Sequence, residues 1–594
     1  MAESYDSINR ELPTSLPPEG EEGDEKESLI YTVEQTPPWH LSLILGLQQS
    51  LITFQSVFAY PLVVKSAMCI DGDDVGLVQL ISVTSMMVGL STFLQSTIGV
   101  RLPIIQCISA AYITPTIVLL ETKDSSCPYN HPEFSNTTLL PERGSQGHKD
   151  IWHRNIREVQ GSLMVASLLC LVIGLSGIIG SLLKYIGPLT VAIILILTSI
   201  SLLDITTKMA SSQWYICFMT IFLVVLFSQY LRDVSIALPG FKEKFKIFLL
   251  FSILIALFAA WIICLILTKA GVFPDNPEKW GYRARTDSRT EILKEAHWVY
   301  FIYPGYFGMP TVSLAGVISY MAVFLSCGVE AVGTYYPTAP VCGAPPPPAS
   351  AISRGIFIEG VCGLLSGAWG SPGGTVAYSQ NIANIWITKV GSRVVTQVAG
   401  VLLILMGCVG KFGALFSTIP DPVIGGILFP LFGMIGAVGV ANLQHVNMNS
   451  ARNLFVIGLS LLFGLGLPQW VRENRGSIHT GNSELDNVIV VVGGTSIIVG
   501  GFMALILDNT IPGTPEDRGL TSWGKEKECD GRGNISVYDM PYIQPWLDRC
   551  SFLRYIPICP RSSLDTKDSN NENSAIMGQN GFLESAEEGS SRLN

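Results

Sequence analysis

Charge is what this sequence has little of. Only 14% of its 594 residues are Asp, Glu, Lys or Arg, against about a quarter in an ordinary soluble domain. That shortage argues against a multidomain soluble enzyme. A basic excess is missing too: 37 Lys and Arg face 47 Asp and Glu, a formal net charge of −10. Nucleic acid is therefore offered no cationic surface. His numbers only 7. No GxxxxGK[ST] loop occurs, which argues against direct drive by ATP. No HExxH, paired CxxC or Ser-His-Asp signature occurs either, so the chain reads as a non-enzyme without a resident cofactor. A cleavable leader is not expected. The first long apolar run begins near Leu41, behind Glu19, Glu21, Glu22, Asp24, Glu25 and Glu27, which is the wrong order for a signal peptide.

What is present is apolar. Hydrophobic residues make up 48% and mean hydropathy is +0.41. The 13 cysteines lie mostly inside apolar runs, where they behave as small hydrophobes. Runs of bilayer length, about 20 residues, lie near 41–63, 75–97, 103–120, 161–183, 187–206, 213–231, 246–269, 311–335, 353–371, 375–388, 394–416, 420–441, 452–471 and 488–507. These are spans one to fourteen of an all-α polytopic membrane protein. Spans three and ten are too short to cross as continuous helices.

Lysine and arginine in short loops set orientation. With a cytoplasmic N-terminus, Arg101, Lys184, Arg232, Lys242, Lys244, Lys246, Arg354, Lys389, Arg393 and Arg452 face the cytoplasm, and the C-terminus lies there as well. Asn136-Thr137-Thr138 is a glycosylation sequon in the long loop after span three, which this topology places outside, so Asn136 is the expected acceptor. Cys127 shares that loop and Cys69 lies near the outer end of span one. A disulfide between them and two separate thiols both fit.

Fourteen spans divide into two sevens, and an odd-numbered repeat inserts its second copy inverted. The third span of each half is the short one: Pro103 to Pro115, and Gly373 to Thr388. Interrupted segments at matching places in two halves point to a midplane binding site, with half-helix N-termini offering free N–H groups. Two acids stand inside spans, Glu330 in span eight and Glu359 in span nine. A carboxylate at that depth costs a few kcal/mol or more, which marks it as functional by default. The alternative is an acid reaching an interface. Span one adds Gln48 and Gln49, which fit a binding role or interhelical hydrogen bonding.

Several stretches give the chain a family character. They include Gly343-Ala344-Pro345-Pro346-Pro347-Pro348, Arg354-Gly355-Ile356-Phe357, Pro420-Asp421-Pro422, Asn449-Ser450-Ala451-Arg452-Asn453 and Leu507-Asp508-Asn509-Thr510. With these the sequence, from about residue 32 to about residue 560, resembles the nucleobase–ascorbate transporter family, and within it the vertebrate sodium-dependent members. The resemblance implies two inverted seven-span repeats. A core domain (41–185 and 311–416) would hold the substrate and a gate domain (186–270 and 417–508) would face it. The outer loop 271–310 and cytoplasmic tails 1–40 and 509–594 complete the chain. The resemblance makes Glu330 the acid that hydrogen-bonds the substrate and Glu359 the acid that supports the site.

The family signature of span ten reads Gln380-Asn381-Ile382-Ala383-Asn384-Ile385-Trp386-Ile387-Thr388-Lys389 here. Family members that carry ascorbate have Pro at the first position, and nucleobase carriers have Gln or Glu. Gln380 offers a donor and an acceptor to a heterocycle edge, and Pro offers neither. The signature's Gly is Ala383, and the usual Gln-His pair of span one is Gln48-Gln49. The expected binding set is Glu330, Glu359, Gln380, Asn381, Gln48, Gln49, Ala110 and Ala111, supported by Ala383, Thr388 and Lys389. Ser109 and Thr114 are the sodium candidates. The implied function is sodium-coupled import of nucleobases across the plasma membrane. Sodium-dependent ascorbate transport and a scaffold with little transport are the alternatives. Membrane lipids and a second copy, through the gate domains, are the expected partners.

Overall fold

A computed structural model describes residues 29–122, 127–130, 140–178, 185–234, 236–237, 244–245, 247–276, 279–287, 291–519 and 535–540. Each apolar run falls on a described element, and the architecture is that of an α-helical polytopic membrane protein. Nine described helices are long and apolar enough to cross a bilayer: Trp39–Val64, Asp74–Thr97, Gln146–Ser176, Pro188–Ala210, Phe251–Lys269, Leu314–Val341, Ala349–Trp369, Asp421–His445 and Ala451–Glu473. These are spans one, two, four, five, seven, eight, nine, twelve and thirteen. Span fourteen is the pair Ser483–Gly493 and Ser496–Thr510, bent by 74°. Spans three, six and eleven hold the shorter helices Ala110–Leu120, Trp214–Tyr230 and Arg393–Cys408.

Local chemistry sets the helix ends. Asp73 accepts the Gly76 N–H at 3.0 Å and so caps span two, while the Trp152 indole on span four donates to its other oxygen at 3.1 Å. One carboxylate thus starts a helix and ties it to a neighbour. Span four begins at Gln146, well before its apolar run, because Ser145 caps the polar first turns. Glycines let helices approach. A Cβ on Gly89 of span two would lie 2.5 Å from the Gly400 carbonyl of span eleven. Small residues at such crossings are the means by which helices associate where lipid removes the hydrophobic drive.

The helices fall into two sets by their packing. Span four runs along span nine, span two along span eleven, and span one along span eleven. In the second set, span five runs along span twelve and span thirteen along span fourteen. The sets meet chiefly where span eight touches Ser483–Gly493. Burial differs in step: the apolar windows of spans two and nine are 72% buried, those of spans seven and thirteen 28%. Phe222, Ile266, Leu462 and Phe502 of the second set are exposed, a surface suited to lipid.

Candidate substrate site between the broken spans

Spans three and ten are not simply short helices. Each begins as a three-residue strand, Gln106–Ile108 and Thr375–Ala377, and the two strands pair antiparallel with Gln106 opposite Ala377 and Ile108 opposite Thr375. Antiparallel pairing of matching segments fits the inverted repeat expected from the sequence. A two-stranded ribbon buried at membrane depth leaves outer backbone groups to be satisfied, and span two helps. The Gln106 N–H donates to Thr92 Oγ1 at 3.0 Å, and a side-chain bond from Thr375 Oγ1 to Ser91 Oγ at 3.0 Å ties the second strand to the same helix. The approach is close as well: a Cβ on Gly374 would lie 2.7 Å from Tyr112 Oη.

A helical segment follows each strand. Ser109 caps the turn Ala110–Tyr112, its Oγ accepting the Ala111 N–H at 3.3 Å, and Ile113–Leu120 continues it. Ala111 therefore already has a partner for its N–H. After the second strand comes Gln380–Thr388. Gln380 and Ala383 lie on that helix, but their side chains are outside the described residues.

The two span acids flank the ribbon, and Cys107 in the first strand is within electrostatic reach of both. Their environments differ. Glu359 is 4% exposed and accepts the Tyr335 hydroxyl at 2.8 Å. Tyr335 is itself held by the Gln95 carboxamide, which also reaches the Gly355 carbonyl at 3.3 Å. Glu330 is half-buried, and among the described residues nothing hydrogen-bonds its carboxylate. Gln106 is 1% exposed, and neither end of its carboxamide has a hydrogen-bond partner. It lies within reach of the Glu359 carboxylate. One acid is thus locked into the fold, while the carboxylate of the other has no hydrogen-bond partner among the described residues. The sequence reading missed Gln106, Tyr335 and Gln95. Only their polarity in apolar surroundings could have signalled them.

The remaining candidates hold helices together. Gln48 donates to Asn384 Oδ1 at 3.0 Å, and Gln49 accepts the Thr396 hydroxyl at 3.2 Å, so the pair ties span one to spans ten and eleven. Asn381 donates to the Pro103 carbonyl at 2.7 Å, joining the two broken spans. Thr388 Oγ1 bonds back to the Asn384 carbonyl at 2.8 Å. Lys389 closes the helix with φ +54°, and its carbonyl accepts the Ile30 N–H at 2.9 Å. Thr114 pairs with Ser201 of span five at 3.0 Å, so the hydroxyls of Ser109 and Thr114 serve separate partners. Cys69 and Cys127 form a disulfide with Cα atoms 5.3 Å apart. Asn136 lies outside the described residues.

Residues 40–473 match the family model Xan_ur_permease, described as a permease family. The chain is 40% identical to solute carrier family 23 member 1 of Mus musculus, over 94% of this chain and 92% of that one. It is 41% identical to solute carrier family 23 member 2 of Homo sapiens, over 92% and 85%. It is 31% identical to nucleobase-ascorbate transporter 1 of Arabidopsis thaliana, over 87% and 96%.

Proposed function

The chain belongs to the Xan_ur_permease family of permeases, and we propose that it is a sodium-coupled symporter importing nucleobases across the plasma membrane by alternating access. The observation that carries the site is the contrast between the acids. A half-buried carboxylate with no partner is costly, and a ring N–H of a nucleobase relieves that cost. The Gln106 carboxamide, buried in the same ribbon within reach of Glu359, supplies a second donor and acceptor. Glu359, fixed by Tyr335, holds the electrostatics of the ribbon. Gln380 argues for a nucleobase over ascorbate by its residue type.

Spans one to four and eight to eleven act as the core, and spans five to seven and twelve to fourteen as the gate. The packing sets support this division, as does the greater exposure of the second set. That exposed apolar face is also where a second copy would join. Orientation follows the loop charges, with both termini cytoplasmic. Sodium as co-substrate rests on the resemblance to sodium-dependent carriers, with Ser109 and Thr114 its candidate oxygens.

Uptake of labelled uracil, xanthine and ascorbate, with and without sodium, in cells lacking endogenous carriers tests this reading. Saturable sodium-dependent nucleobase uptake is expected. Ascorbate uptake without nucleobase uptake overturns the substrate. No uptake by protein shown to be at the surface overturns the transport reading. Glu330→Gln should lower uptake at least tenfold with surface level unchanged, since a charged hydrogen bond contributes about 1.5–3 kcal/mol. Normal transport by that variant would remove Glu330 from the site.

A further inference from the structure

Just ahead of the ribbon in span three, three arginines of distant sequence converge at the end of the molecule where that span starts. Arg101 precedes span three, Arg354 stands in the first turns of span nine, and Arg393 opens span eleven. Arg101 and Arg354 are buried and Arg393 is half-buried. Two brace the fold with one nitrogen each: Arg354 Nε donates to the Gly99 carbonyl at 2.7 Å, and Arg393 Nε to the Arg101 carbonyl at 2.8 Å. Arg101 itself has φ +64°, a backbone conformation few side-chain-bearing residues adopt.

Their outer nitrogens meet the chain's own C-terminal segment. Arg393 Nη2 donates to the Val537 carbonyl at 3.0 Å, and Arg354 Nη2 to the Tyr538 carbonyl at 2.7 Å. Arg101 Nη1 donates to the Asp539 carbonyl. Three successive carbonyls thus each receive one guanidinium. These carbonyls lie at the C-terminal end of the short helix Ile535–Tyr538, where a helix leaves carbonyls unpaired and negative potential builds up. Val537 and Tyr538 are 6% and 1% exposed, and the Tyr538 hydroxyl donates to the Pro345 carbonyl. Without the segment the socket would hold three crowded cations facing the charge of Glu34. Burial and the charges of Arg393 and Arg354 already push the Arg101 guanidinium down to about 10.

The described chain just before this segment is tied elsewhere. Asn453 of span thirteen donates to the Asp517 carbonyl at 2.7 Å. Arg518 reaches Asp508 of span fourteen at 3.2 Å. The C-terminal chain therefore contacts both packing sets on one face of the molecule.

We propose that Val537–Asp539 is an intramolecular clasp, the dedicated occupant of the Arg101–Arg354–Arg393 socket, and that it fastens the ends of spans three, nine and eleven to one another. Recognition is by backbone carbonyls, one phenol and the charge of Asp539 beside Arg101, so it depends on the shape of the turn and on Tyr538 as well as on side-chain charge. The inference does not depend on which solute is carried.

Chymotrypsin, which cuts after tyrosine, reads the clasp directly in the purified full chain, with the fragment ending at Tyr538 quantified by mass spectrometry. In the wild-type protein this cut is slow. Val537→Asp, a change on the tail side only, should speed it at least tenfold and lower the melting temperature. Arg354→Gln should do the same, counted only where the variant elutes as a single species on size exclusion. A wild-type cut as fast as that of Val537→Asp overturns the proposal, as does an unchanged melting temperature in both variants.

Discussion

Two carboxylates of one type in one stretch of membrane have opposite surroundings, and that difference separates positioning from binding. Glu359 has a fixed donor in Tyr335 at 2.8 Å, so its geometry is determined before any solute arrives. Removing that donor leaves a buried acceptor short of a partner, which costs about 1–3 kcal/mol. Tyr335→Phe is therefore expected to lower the melting temperature of the purified carrier and to leave the uptake KM little changed. A large KM change at unaltered stability would instead put Tyr335 in contact with substrate. Gln48 and Gln49 teach the converse. They stood out in the sequence as binding candidates, yet their side chains bond to Asn384 and Thr396. Polar residues in apolar spans serve helix association as readily as ligand binding, and residue type alone does not separate the two.

At the scale of elements, helical spans were legible because their signal is length and apolarity, both of which sum over about 20 residues. Breaks in spans three and ten were legible for a related reason, since both segments were too short and carried Pro or Gly. Their conversion into paired strands was not. Three residues have no measurable period, and the partners Gln106 and Ala377 lie in opposite halves of the chain. The arginine socket was legible only as loop charge, because its occupant comes from the tail. The ribbon itself is sterically exacting. A methyl group on Gly374 would sit 2.7 Å from Tyr112 Oη, and Tyr112 is fully buried against Tyr320 and Phe324. Overpacking of this kind costs about 1–3 kcal/mol. Gly374→Ala should thus destabilise the protein by that amount in a thermal melt and impair uptake. A variant as stable as wild type would mean that Tyr112 can yield.

For the whole molecule, the informative region is the end that carries the disulfide. A cavity of about 520 Å³ opens there between the two packing sets, lined by Lys65, Lys208, Arg283, Arg472 and Arg475 and by Glu121, Asp204 and Asp421. Ion pairs cross it: Lys65 to Asp421 at 3.5 Å and Arg475 to Glu121 at 2.5 Å. Arg283 also pairs with Asp421 and Arg472 with Asp204, but cations outnumber acids in this lining, and a concave wall of net positive charge raises the local concentration of anions. Ile117 of span three lines the cavity, and the free cysteines among the described residues are buried apart from half-buried Cys408, so a new thiol there would report with little background once Cys529, Cys550 and Cys559, which lie outside the described residues, are replaced by serine. In intact cells Ile117→Cys should be labelled by membrane-impermeant thiol reagents added outside. An anionic reagent should react several-fold faster than a cationic one of equal size. That ratio should shrink toward one as salt rises, because the screening length falls from about 10 Å at 0.1 M to about 3 Å at 1 M. Labelling only after permeabilisation would invert the orientation. Equal rates for the two reagents at low salt would mean that the ion pairs cancel the field and that the cavity does not select solutes by charge.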